Sequence, residues 1–408
     1  MNQSISTPPP AAARKPVPRG IARSGPAVLS YGFRPFFLLA GIVAVLDMVL
    51  WIGALSGWWE VGGPEGPIAW HAHEMLFGYA TAALSGFVLT AVPNWTGRLP
   101  VSGLPLLGLV ALWAAGRVLL MLPVTAGSPV SAVVDCLYLP ALAFVVTREV
   151  VVGRNWPNLR VALALSALGL LNVAFHAASF AGWDETALLR GTVALFVALV
   201  CQVGGRIIPS FTRNYLARRG AQRLPRPLGR IDHAALLAAV LAGLAWAILP
   251  DGWPTVLLAV GAAILHAWRL AGWQGQQTWR EPLLLVLHIA YSFIPLGFLC
   301  VAAAALEVVS PASALHVLTV GVIGLTTLAV MTRASRGHTG RPLTASWSTT
   351  AAYACIAVVA LLRPLAEMLP EAYHPILAVS AAGWIAGFAI FVFEHAPMLM
   401  RPSRSAPK

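Results

Sequence analysis

Runs of about twenty mostly apolar residues, the length needed to cross a bilayer, recur along the chain between short polar or basic segments. Twelve are found, at 36–57, 71–93, 103–123, 130–152, 158–180, 187–209, 232–250, 254–272, 281–303, 313–334, 348–368 and 374–395. Several contain Gly or Pro, which membrane helices tolerate when neighbours satisfy the freed backbone groups. The pattern predicts an all-α polytopic membrane protein of about twelve transmembrane helices, forming a single domain over 34–396. Residues 1–33, rich in Pro, Ala and Ser, lack the apolar run and cleavage site of a signal peptide and read as a disordered cytoplasmic tail. Residues 397–408 read as a short basic cytoplasmic tail.

Composition agrees: 58% of the 408 residues are hydrophobic and 10% charged, against roughly a quarter charged in soluble proteins. A net charge of +12 would suit a nucleic-acid partner, but its distribution argues otherwise. Apart from Arg117, Arg190 and Arg363, the basic residues lie in the N-terminal tail or at every second helix end. The intervening loops carry Glu60, Glu65, Asp184, Glu185, Asp251, Glu307, Glu367 and Glu371. Basic loops face the cytoplasm, so both termini are expected inside a multi-pass cytoplasmic-membrane protein, and no nucleic acid is needed to explain the charge. The cysteines Cys136, Cys201, Cys300 and Cys355 are widely spaced, without CxxC or CxxCH, which argues against a disulfide framework and against covalent haem.

Ionisable groups inside the apolar runs are costly and need partners. Arg117 and Asp135 sit at similar depth below the outer boundary, which predicts a structural ion pair between them. Asp47, in the first run, has no partner evident from the sequence. The richest cluster is Trp70 His71 Ala72 His73 Glu74 Met75, at the outer start of the second run. His176 and His316 reach the same level from the fifth and tenth runs, whereas His233, His266, His288, His338 and His395 fall toward the inner side. Neutral imidazole ligates haem iron and copper, so His71, His73, His176 and His316, with Glu74 and Met75, are candidate metal ligands. Residues two apart on a helix point about 200° away from each other. His71 and His73 therefore serve two centres, or one of them supports the other's centre. Glu74 and Met75 share the face of His71.

A weak internal repeat bears on this choice. His73 precedes Thr96 Gly97 Arg98 by 23 residues, His316 precedes Thr339 Gly340 Arg341 by the same interval, and Gly78 and Gly321 share an offset of five. Pro209 Ser210 Phe211 Thr212 Arg213 echoes the end of the second run. Spans two, six and ten then look related, implying three groups of four helices, and His73 with His316 becomes the pair expected for a bis-histidine haem. On the inner side, Arg206, Arg213, His338 and Arg341 offer partners for haem propionates or a lipid phosphate, and His288 is a further cofactor candidate.

Seven motifs in order carry a family resemblance. They are Phe33 to Phe37, Trp70 to Gly78 with HAHEM, LTAVPNWTGR at 89–98, Asn172 to His176, GGRIIPSFTRN at 204–214, Trp279 to Pro282 with His288, and GHTGRP at 337–342. The chain resembles the NnrS family, haem- and copper-containing membrane proteins of the bacterial response to nitric oxide. The resemblance implies non-covalent haem b, copper, twelve helices, a bacterial inner-membrane location and a role in nitrosative stress or denitrification. It assigns no ligands and no catalytic residue. The expected function is binding or detoxification of nitric oxide or its iron adducts, with oxidoreductase activity and the electron donor left open. A multi-span transporter or metal exporter is the first alternative, and a nitric-oxide sensor acting on a separate regulator is the second.

Overall fold

The computed structural model describes residues 25–403. Residues 1–24 and 404–408, most of the expected N-terminal tail and the end of the C-terminal one, lie outside the described residues. The described residues form no strand; they build twelve helices long and apolar enough to span a membrane. These are α1 (Phe33–Leu55), α2 (Gly63–Thr96), α3 (Leu104–Met121), α4 (Pro129–Val152), α5 (Trp156–Ala181), α6 (Thr186–Arg218), α7 (Arg230–Ile248), α8 (Trp253–Ala271), α9 (Pro282–Ala305), α10 (Pro311–His338), α11 (Trp347–Met368) and α12 (Pro370–Met400). The largest departure from the hydropathy pattern is α6, which continues about two turns past the end of its apolar run through Arg213 and Arg218. Polar residues are compatible with a helix once it has left the hydrocarbon, so hydropathy marks the membrane edge rather than the helix end.

Short connections make consecutive helices antiparallel neighbours. α3 packs on α4, α4 on α5, α6 on α7, α7 on α8, α8 on α9 and α11 on α12, while α1 closes the bundle between α2 and α12. Ser128, Ser310 and Ser346 accept backbone N–H bonds at the starts of α4, α10 and α11, satisfying donors that a helix start leaves over. Arg34, at the beginning of α1, donates to the carbonyls of Leu399 and Arg401 at 2.9 and 2.6 Å and to Ser403 Oγ at 2.8 Å. One guanidinium therefore caps the last carbonyls of α12 and ties the start of α1 to the end of α12. Small residues admit close helix contact, as packing within lipid favours: a Cβ at Gly41 would meet the Phe391 ring at 2.8 Å, and one at Gly86 the Phe37 ring at 2.5 Å.

The up-and-down course gives the bundle a histidine end, where α2 and α10 start, and an arginine end, where α2, α6 and α10 finish. α2 and α10 share an irregularity: each becomes π-helical directly after its histidine, over Glu74–Ala80 and Val317–Gly324. A π turn holds an extra residue and recurs at functional sites. Gly78 and Gly321 lie inside these segments, where a Cβ would crowd Arg117 Nη1 at 3.0 Å and the Phe293 ring at 2.5 Å. α6 is α-helical throughout Thr186–Arg218.

Candidate metal centre

The tip of α2 directs His71 and His73 to opposite sides. His73 turns toward α4 and α5, into a pocket closed by Phe77 and Phe175, whose rings lie 5.0 and 4.9 Å from its own. His73 Nδ1 lies 2.9 Å from Glu74 Oε1, and Nε2 lies 2.9 Å from Asn172 Oδ1 and 3.3 Å from Asp135 Oδ2. Asp135 Oδ2 is also 3.0 Å from His176 Nε2 and accepts from Asn172 Nδ2 at 2.8 Å. His73, Asp135 and His176 are all buried, and one ligand atom from each falls within 4.8 Å of the others. Two imidazoles and a carboxylate can thus hold a metal ion. Nδ1–H of His73 donating to Glu74 leaves Nε2 to a proton or a metal, the arrangement by which a second carboxylate orients a ligating histidine.

Arg117 supplies the charge that lets two acids sit here. Its Nη1 donates to Glu74 Oε1 at 2.9 Å, and its Nη2 contacts Asp135 Oδ1. A planar guanidinium can span two carboxylates on different helices in a way an ammonium cannot. Glycine makes the room: a Cβ on Gly116 would lie 3.1 Å from Asp135 Oδ1, and Gly78 is similarly tight against Arg117. Trp113 Nε1 donates to the Gly78 carbonyl at 3.2 Å, pinning α3 to the π segment. Asp47 of α1 is fully buried, has no hydrogen-bond partner for either oxygen, and lies within electrostatic reach of Glu74, Arg117 and His73. It is the neighbour that the linear sequence could not supply.

His71 faces the other way, stacked on Trp51 with ring centroids 4.0 Å apart and planes at 16°. It lies within electrostatic reach of His316 and Arg363, and its Nδ1 is buried without a hydrogen-bond partner. His316 Nδ1 donates to the Ala312 carbonyl at 2.7 Å, which leaves Nε2 as the nitrogen with a free lone pair. The repeat-related pair His73 and His316 is not what the structure brings together. His316 comes within electrostatic reach of His71, and the His73 ring lies 4.9 Å from that of His176. The reason is rotational: two residues along α2 reverse the direction of the side chain. Met75 is half-buried against the apolar core.

The other candidates lie elsewhere. His288 bonds Thr212 Oγ1 through Nε2 at 2.8 Å, under Gly275, whose Cβ would meet the ring at 2.6 Å. His338 packs against the Tyr31 and Phe33 rings at the arginine end, where Arg206 reaches toward Asn158 and Arg341 lies near Arg34. Nothing brings these four to the histidine end. A second buried polar group links α6 to α9: Arg269 donates to Asp232 at 2.7 Å and to Tyr291 at 2.8 Å, and Tyr291 contacts His266 beside Cys201. Asn172 was not among the sequence candidates, although it lies one helical turn from His176 and so shares its face.

Outside the spans, two carboxyls are displaced from ordinary behaviour. Hydrogen bonds from Thr186 hold Asp184 below the usual carboxylate range at the histidine end, and burial lifts Glu281 above it at the arginine end.

None of the curated proteins matches the chain in sequence. Residues 27–403, nearly the whole chain and all of the helices that build both histidine groups, match the family described as NnrS protein, and the chain accordingly belongs to the NnrS family.

Proposed function

We propose that the protein is a metal- and haem-carrying membrane protein that binds nitric oxide, or acts on it or its iron adducts, and so limits nitrosative damage. The observation that carries this reading is the buried group His73, Asp135 and His176, with Glu74 orienting His73 and Arg117 balancing the carboxylates. The donor set suits the cation: two imidazole nitrogens and one carboxylate oxygen match the preferences of copper(II) and of non-haem iron(II). Copper is the ion that the family resemblance implies. When bound, such an ion supplies redox chemistry and an affinity for nitric oxide.

The chain's own groups set the conditions for that chemistry. Phe77 and Phe175 keep water from the imidazoles, strengthening every electrostatic contact inside. Glu74 fixes which His73 nitrogen is presented, and Arg117 holds Asp135 so that its second oxygen points at His73 and His176. His71 and His316 fit haem b on two grounds: an unpartnered buried nitrogen on one, and on the other an Nδ1–H anchored to a carbonyl, which frees Nε2. The basic helix ends around Arg34, Arg206, Arg213, Arg333 and Arg401 support an orientation with the arginine end in the cytoplasm of a bacterial inner membrane.

The test is copper, iron and haem quantification on full-length protein purified from metal- and haem-replete cells, with optical and paramagnetic titration by nitric oxide. His73→Ala, His176→Ala and Asp135→Asn should lose copper and keep haem, whereas His71→Ala and His316→Ala should lose haem and keep copper. A colourless, metal-free wild-type preparation would overturn the reading.

A further inference from the structure

A cavity of about 540 Å³ opens at the arginine end between α2, α6 and α10. It is continuous with a narrower apolar slot rising between the same helices toward the histidine end, because Phe87, Val203, Ile207, Leu287 and Val330 line both. The slot walls are almost wholly aliphatic and aromatic, while the wide lower part carries the polar groups Asn94, Ser210, Arg206, Arg333 and His338. None of the described lining residues is acidic.

The two arginines project from different helices and are poorly neutralised. Both Nη atoms of Arg206 lie only 3.4 to 3.5 Å from Asn158 Oδ1, a neutral acceptor, and Arg160 is a like-charged neighbour. Arg333 sits over the Phe211 ring at 4.4 Å, between Glu281 on one side and the repelling Arg218 on the other. Cations sequestered in a half-apolar space need an anion more than surface arginines do, since the lower dielectric raises the cost of leaving them uncompensated. Guanidinium groups present paired donors suited to carboxylate or phosphate.

We propose that this cleft is a binding site for an acidic phospholipid, whose acyl chain enters the slot between α2, α6 and α10 and whose phosphate is held by Arg206 and Arg333. The site is separate from both histidine groups and uses none of their residues. An acidic phospholipid has this chemistry, and it carries phosphorus without visible absorption.

The experiment is mass spectrometry, phosphorus assay and absorption spectroscopy on the amphiphile extracted from full-length protein purified in mild detergent. The proteins compared are wild type, Arg206→Gln, Arg333→Gln, the double variant and Val203→Trp. Wild type should carry a tightly held acid, and the double variant should retain about tenfold less or lower still, the expected loss for removing charge-assisted hydrogen bonds. Val203→Trp, which fills the slot without touching the charges, should also expel it. Unchanged elution on size exclusion and unchanged tryptophan fluorescence confirm that the variants are folded, and Arg206→Lys with Arg333→Lys should keep most of the ligand. Phosphorus that co-purifies in proportion to protein identifies the lipid. A neutral amphiphile, a tetrapyrrole in place of a lipid, an empty cleft in wild type, or an acid retained equally by the double variant would each overturn the proposal.

Discussion

Arg117 offers the sharpest test of the histidine-end network, because its guanidinium is the cation between two buried carboxylates from different helices. Arg117→Met keeps the apolar stem, deletes the charge, and leaves Glu74 and Asp135 facing each other across a dry space. Breaking a buried pair by removing one partner costs about 3–5 kcal/mol, the penalty of an uncompensated buried charge. That corresponds to roughly a hundredfold to several-thousandfold rise in the unfolded population, at about 1.4 kcal/mol per decade. The assay is equilibrium unfolding of detergent-solubilised protein followed by tryptophan fluorescence. Glu74→Gln in the same background removes one orphaned charge, so the double variant should be more stable than the sum of the single effects by about 0.5–3 kcal/mol. Arg117→Lys should rescue only partly, because a single ammonium cannot span both acids. A cost below about 1 kcal/mol for Arg117→Met, the range of exposed pairs, or strict additivity with Glu74→Gln, would refute this account of the site.

Gly116→Ala places a methyl 3.1 Å from Asp135 Oδ1 and should lower metal affinity about 10- to 100-fold, as disturbing a ligand's support does; Gly108→Ala, with nothing within 4 Å, should leave metal binding unchanged in the same titration. Arg34→Gln removes the charged cap on the final carbonyls of α12 and should destabilise by about 1.5–3 kcal/mol, with hydrogen exchange rising first at the end of α12. Burial raises the Glu281 carboxyl in the folded chain, so its stabilising contribution is complete below the ordinary glutamate value of about 4.3 and is lost as pH rises through the folded value. Glu281→Gln should flatten the stability profile across that window, and a mutant profile parallel to wild type would contradict the burial argument.

The twelve spans were legible because lipid demands continuous apolar length, and the opposed directions of His71 and His73 followed from helical pitch alone. Which histidine met which partner was not legible, since that depends on the rotation of α2 against α5 and α10, and a π turn alters that rotation without any signature in hydropathy. Asp47 stood out as costly but could not be assigned, because its neighbours Glu74 and Arg117 come from helices whose relative depth only packing decides. Asn172 lay within a quoted motif and on the His176 face, yet an amide carries no charge to attract notice. Arg333 was counted among the orienting charges of the basic loops; only the cleft between α2, α6 and α10 separates it from them.

The π segments behind His73 and His316 make the histidine-bearing tips of α2 and α10 separately adjustable from the shafts below. One surplus residue in a turn is a phase shift of about 100°, so deleting a single residue from 74–80 or 317–324 would swing the upstream imidazole a quarter-turn while leaving the arginine-end packing in register. Each of these two helices therefore behaves as two rods joined by a fixed angular offset, and an indel there would re-aim the metal-facing groups without rebuilding the bundle.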